Sequence, residues 1–262
     1  MLHFDPLYLS GLFAIALVAG TIDAVAGGGG LLTLPALMAT GIPPISALAT
    51  NKAQAIFSSF GATLHFWRKG RIDLAALKRP ALMSFLGAVA GAACVSFVDP
   101  ATLKALVPFL LIAICVWLAF NPRVGEGSRP RFSLAVIGLT LVPLIGFYDG
   151  FLGPGTGTFF ALGLVGLAGL SLDEATIEAK LCNFMSNLGA LAFFLFAGHI
   201  VWLYGAVMAV GMMAGGQIGA RLVLRHGTGL IRPLLIVTSL GMSIRLLWQS
   251  GTIAQLWALI AA

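Results

Sequence analysis

Apolar runs long enough to cross a lipid bilayer follow one another along almost the whole chain. A spanning helix needs about 20 apolar residues. Such runs occupy residues 7–25, 44–67, 80–98, 102–120, 132–151, 172–196, 200–223 and 230–248. Two further runs, 27–40 and 153–170, are short and open on glycine clusters, and an apolar tail covers 252–262. Of the 262 residues, 59% are apolar and 9% charged, and the mean hydropathy is +1.01. A soluble fold of this size needs far more charge to cover its surface. This pattern excludes a cytosolic enzyme, a disordered chain and a secreted disulfide scaffold. It predicts an all-α polytopic membrane protein forming a single membrane domain over 1–262. Residues 1–6 carry no Lys or Arg, so the first run lacks the basic leader of a signal peptide and reads as a retained helix.

The net charge is +6, with the bases in short connecting segments, which fits cytoplasmic loop bias rather than nucleic-acid binding. Cys94, Cys115 and Cys182 form no C-x-x-C pair and read as core-filling side chains. No His/Cys/Asp cluster has metal-ligand spacing, and no Walker or dinucleotide fingerprint occurs, so no metal or cofactor is expected. No nucleophile–base arrangement is recognisable, which leaves catalytic residues unassigned and argues against an intramembrane enzyme.

The chain repeats itself at an offset of 126 to 128 residues. Gly20 and Asp23 recur as Gly146 and Asp149, Lys52 as Lys180, and Gly61, Gly70, Gly87 and Gly91 as Gly189, Gly198, Gly215 and Gly219. The repeats are assigned to 7–120 and 132–248, joined by a polar connector at 121–131. The segment after the run 44–67 differs in charge from its counterpart after 172–196. Arg68, Lys69, Arg71, Lys78 and Arg79 read as one basic loop in the first half, whereas the matching loop around His199 has no Lys or Arg. Conversely the loop around Asp99 has only Lys104 nearby, and its counterpart holds Arg221, Arg225 and Arg232. Equivalent loops on opposite faces require an odd number of crossings per half, hence two inverted-topology repeats. The expected architecture is about eight full membrane helices plus a short glycine-led broken or re-entrant helix in each half. Counting that short helix as a crossing gives five per half; if it dips in and returns, the count is four and the polarity argument fails.

The candidate site follows from groups that are costly in a bilayer. Gly27, Gly28, Gly29 and Gly30, and Gly153, Gly155 and Gly157, cannot sit in stable helix interiors. Each cluster places a helix N-terminus, with free N–H groups, inside the membrane zone, and such ends attract anions. Lys52 and Lys180 lie eight residues into their runs and need a counter-charge: Asp23, Asp149, Glu174, Glu178 or a bound anion. Asp23 and Asp149 read as proton carriers or as shapers of the site. Thr50, Asn51, Gln54 and Ser58 flank Lys52, while Thr176, Lys180, Asn183 and Asn187 share one helix face; they line an aqueous path or bond between helices. Gly87, Gly91, Gly211, Gly215 and Gly219 read as close helix-packing positions.

The stretch Gly20-Thr21-Ile22-Asp23-Ala24-Val25-Ala26 with the four glycines, Pro35-Ala36-Leu37, Gly41-Ile42-Pro43-Pro44 and Ala47-Leu48-Ala49-Thr50-Asn51-Lys52 resembles the TauE/SafE, or sulfite-exporter, family of membrane transporters. The second-half echo runs from Gly146 to Gly157 and from Ala179-Lys180 to Asn187. The resemblance implies a multi-pass transporter of small anions, typically sulfite or organosulfonates, in the bacterial inner membrane. The expected function is a secondary transporter exporting such an anion, with Asp23 and Asp149 either shaping the site or carrying a coupling proton. The rivals are a passive anion channel using the same residues and a non-transporting membrane scaffold. The expected partners are a small anionic substrate and the lipid bilayer.

Overall fold

The computed structural model describes residues 5–95, 130–234, 236 and 237. Among them every regular element is helical: α1 (Pro6–Ala26), α2 (Gly30–Ala39), α3 (Pro44–Arg68), α4 (Leu74–Cys94), α5 (Leu134–Leu139), α6 (Leu141–Phe151), α7 (Thr156–Gly163) with a π-helical turn (Leu164–Ala168), α8 (Leu172–Ala197) and α9 (Trp202–His226). Four stretches are long and apolar enough to cross a membrane: Pro6–Ala26, Leu134–Phe151, Leu172–Ala197 and Trp202–His226. The runs at 102–120 and 252–262, most of 121–131 and most of 230–248 lie outside the described residues. Large apolar side chains face outward along the helices, among them Val18, Leu86, Leu144 and Val210. In water such a surface would aggregate; against lipid it is the expected covering. Trp67 and Trp202 are exposed at the end of α3 and the start of α9, where an aromatic ring anchors a helix at the membrane–water interface.

Local chemistry sets the boundaries. Asp5 precedes Pro6 and accepts from Leu7 N–H, so α1 starts one residue before its apolar run. Ser171 and Glu174 close a capping box on α8. Asp73 accepts from the N–H groups of Ala75 and Ala76, which starts α4 six residues ahead of the apolar run at Pro80. Lys78 and Arg79 therefore sit in the opening turns of α4 rather than in a loop, and Arg221 and Arg225 in the closing turns of α9. The run 132–151 is two helices, because Thr140 leaves ideal helical geometry and Pro143 removes a donor in the next turn.

Helix directions can be read from close contacts. Gly211, Gly215 and Gly219 of α9 lie against the carbonyls of Phe13, Leu17 and Thr21 of α1, both numbers rising together. Gly87 and Gly91 of α4 lie in the same way against Pro143 and Phe147 of α6. At each of these a Cβ would collide with backbone, so the glycines are what allow the helices to touch. Val201, before α9, donates to Thr50 near the start of α3, and Gly216 lies against Ser58 further along, so α3 and α9 are parallel as well. α1, α3 and α9 thus run one way. α4 begins at the turn 69–73 where α3 ends, and α8 ends at the turn 198–201 where α9 begins, so α4, α6 and α8 run the other way.

The pairings come in twos. α1 packs on α9 as α6 packs on α4, and α3 packs on α9 as α8 packs on α4. Gly61 lies against Met213 O and Gly189 against Phe85 O, residues matched at the repeat offset. α2 returns antiparallel to α1, its Leu37 clustering with Leu12 and Ala47, so α1 and α2 form a helical hairpin. α6 and α7 form the second hairpin.

Candidate functional site

The tips of the two hairpins meet inside the protein. Gly27 closes α1 with φ +74 and lies directly against Gly157, where a Cβ would be 2.5 Å from Gly27 Cα. Thr158 Oγ1 donates to Ala26 O at 2.5 Å. The left-handed conformation at Gly27 and at Gly153 (φ +89) turns each chain back at its tip, which a side chain would strain.

Around this contact sit the buried ionisable groups. Lys52 and Lys180, each 1% exposed, lie about 12 Å along α3 and α8. Lys52 Nζ is 2.6 Å from Asp149 Oδ1, a fully buried ion pair spanning the two halves. Asp149 is further held by Thr156 Oγ1 (2.8 Å to Oδ1) and Ser186 Oγ (2.6 Å to Oδ2). The matching groups differ. Lys180 Nζ donates to the main-chain oxygen of Asp23, not to its carboxylate. The Asp23 carboxylate accepts from Ser58 Oγ at 3.0 Å. Ser58 and Ser186 are each fourteen residues into their helices and donate to equivalent aspartates, so the serine–aspartate contact is made twice while the lysine–carboxylate contact is made once.

A cavity of about 20 Å³, room for about one water, lies between the tips. Of the residues singled out from sequence, Asp23, Gly27, Gly30, Asn51, Lys52, Asp149, Gly153, Gly157, Asn183 and Asn187 line it. Gly28, Gly29, Thr50, Gln54, Gly155 and Lys180 do not. Thr50 instead accepts the Val201 N–H that starts α9. Gly155 is the left-handed residue that opens α7, and a Cβ on Gly29 would strike the Asp23 side chain. Lys180 stands just behind the wall, its Nζ 3.2 Å from where a Gly157 Cβ would be. Sequence reasoning passed over Ala55 and Thr156 in the wall, and Ser186 behind it. Ser186 had a signal, being the repeat partner of Ser58. Glu174, offered as a partner for a lysine, caps α8 with Ser171 instead. Among the described residues no group of three or more His, Cys, Asp or Glu side chains is placed to hold a metal ion.

Helices packed through glycine, hairpin tips meeting at buried charges and an apolar exterior define a multi-pass membrane protein of the transporter class. The sulfite exporter TauE/SafE family model matches residues 12–246. The chain is 46% identical over 250 residues to the probable membrane transporter protein ORF9 of a Sinorhizobium species, covering 95% of this chain and 96% of that one. It is 44% identical over 247 residues to the probable membrane transporter protein YfcA of Escherichia coli K12, covering 94% and 92%. A probable membrane transporter protein of Haemophilus influenzae is 42% identical over 241 residues, covering 92% and 94%. No solved structure matches. The protein belongs to the TauE/SafE family of membrane transporters and resides in the bacterial inner membrane.

Proposed function

We propose that this transporter moves a small sulfur anion, sulfite or an organosulfonate, outward across the inner membrane, with one proton coupled to each monoanion. The observation that carries the reading is the charge inventory at the hairpin tips. Lys52 and Lys180 balance Asp23 and Asp149 in a buried site. An added monoanion leaves one uncompensated negative charge, which costs several kcal/mol in such surroundings. Protonating Asp23 or Asp149 removes it. Asp23 suits that role better here, since a single serine serves its carboxylate while Asp149 has Lys52, Thr156 and Ser186. The glycine-led N-termini of α2 and α7 and the amides of Asn51 and Asn183 would face the anion.

The scaffold we propose is a pair of inverted repeats, 7–120 and 132–248. Equivalent helices α1 and α6, α3 and α8, and α4 and α9 run in opposite directions, which supports it. The α1–α2 pair adds an even number of passages, whether it crosses twice or enters and leaves by one face. With α3, α4 and the run 102–120 the total per half is odd either way. A cavity of one water is too small for a sulfur oxyanion, so substrate entry requires one hairpin to part from the other. A hairpin that opens only to its own face would give alternating access.

The test is flux in proteoliposomes loaded in turn with sulfite, a small sulfonate, sulfate and chloride, with and without a pH gradient. Selective movement of a sulfur anion driven by the gradient is expected. Equal flux with and without the gradient would replace the transporter by a passive channel, and no flux of any sulfur anion would remove the substrate assignment.

A further inference from the structure

Three asparagines line the cavity, and in two of them, Asn51 and Asn183, the carbonyl end of the amide is already occupied. Asn51 Oδ1 accepts from Thr33 Oγ1 at 2.6 Å and from Gln54 Nε2 at 3.0 Å. Thr33 comes from α2 and is fully buried; its hydroxyl also lies 3.2 Å from Gly29 O, at the tip of its own hairpin. Gln54 is fully buried too, and its Oε1 has no partner among the described residues. A buried unpaired acceptor costs about 1–3 kcal/mol, so Gln54 is an expensive residue whose one side-chain hydrogen bond among the described residues is to Asn51. In the second half Asn183 Oδ1 accepts from Asn187 Nδ2 at 3.1 Å. Asn51 Nδ2 and Asn183 Nδ2 have no acceptor among the described residues. They point at the glycine breaks, 3.6 Å from where a Gly30 Cβ would be and 3.5 Å from where a Gly157 Cβ would be. Asn51 and Asn183 do not occupy matching repeat positions: the counterpart of Asn51 is Ala179 and that of Asn183 is Ala55. The same arrangement is therefore built twice by different residues.

We propose that Thr33 is a positioning residue, which with Gln54 holds the Asn51 amide so that its NH2 group, not its oxygen, faces the cavity. An amide free to flip presents an acceptor half the time and repels an anion's oxygen. One held by Thr33 presents two donors permanently. Thr33 sits on the hairpin that must move for entry, whereas Asn51 sits on α3. Parting the α1–α2 tip from α3 breaks the Thr33–Asn51 bond and releases the amide, so the donor is set only when the tip is closed. This rests on the transporter reading above.

The experiment compares Thr33→Val, which keeps shape and loses the hydroxyl, with Thr33→Ser, which keeps the hydroxyl. In proteoliposomes Thr33→Val should raise the KM for sulfite about tenfold, the worth of one hydrogen bond, with Vmax within about twofold. Thr33→Ser should keep the original KM. Unchanged KM in Thr33→Val, or equal impairment of the two variants, would overturn the proposal. A second readout needs no transport. With 15N-labelled asparagine in detergent micelles, the Asn51 side-chain NH2 resonance is identified by its loss in Asn51→Ala. It should keep its position in Thr33→Ser and move or split in Thr33→Val; an unmoved resonance would overturn the proposal. If the unaltered protein carries no sulfite, the substrate reading fails, and the resonance alone decides the role of Thr33.

Discussion

At the residue scale the chemistry is dominated by one ion pair. Lys52 and Asp149 are each 1% exposed, and their 2.6 Å contact joins the two halves of the chain. Removing one member of such a pair strands the other and typically costs about 3–5 kcal/mol, while removing both is far milder. Lys52→Met should therefore lower the unfolding temperature in detergent and abolish flux. Adding Asp149→Asn should restore the unfolding temperature and leave flux absent, because the anion's counter-charge is still missing. If the double variant unfolds as early as the single one, the pair is not what stabilises the tips. Sequence reasoning reached these residues because a lysine and an aspartate in register inside apolar runs have no cheap explanation. It did not reach their pairing. Asp23 and Asp149 were equal candidates for each lysine, and only the meeting of the tips selects Asp149 for Lys52 and leaves Lys180 on a main-chain oxygen.

At the scale of elements, glycine has two separate uses. On the helix faces it brings backbones together, and this was legible because the spacing Gly87-x-x-x-Gly91 and its echo at Gly215 and Gly219 is the packing pattern itself. At the hairpin tips it turns the chain and lets the two halves touch. The sequence signalled breaks there but not their contact, since that depends on tertiary placement. The sequence misplaces the start of α4 for a local reason: charge and proline ahead of an apolar run look like loop, whereas Asp73 caps α4 and Pro80 is accommodated within it. A methyl group tests the tip contact. Gly157→Ala would put Cβ 2.5 Å from Gly27 Cα and 3.2 Å from Lys180 Nζ, forcing the hairpins apart. We expect sulfite flux to fall at least about tenfold, the effect of roughly 1.4 kcal/mol. Gly11→Ala, in α1 where a Cβ has nothing within 4 Å, should leave flux unchanged. Equal flux in both variants would mean that close tip contact is not needed for transport.

At the scale of the whole molecule, access to the site depends on how the halves are inserted. The largest helix pairings between them come in twos, and equivalent helices run in opposite directions. Loop charge then gives the absolute orientation, because positive segments are retained on the cytoplasmic side. Lys69 follows α3 amid Arg68, Arg71 and Lys78, while His199 follows α8 in a turn with no Lys or Arg. Both residues are exposed, each one position beyond or before the glycine that ends its helix in a left-handed turn, Gly70 and Gly198. The basic ends of α3 and α9 lie together, since those helices are parallel, so one face collects the positive charge of both halves. In a background with Cys94, Cys115 and Cys182 replaced by alanine, Lys69→Cys and His199→Cys should react with an impermeant maleimide from opposite sides: Lys69→Cys only after the membrane is breached, His199→Cys in intact spheroplasts. Labelling of both from one side would mean that the two halves insert in the same sense. The hairpins would then enter from one face, and opening them in turn could not expose the Lys52–Asp149 site to each side of the membrane.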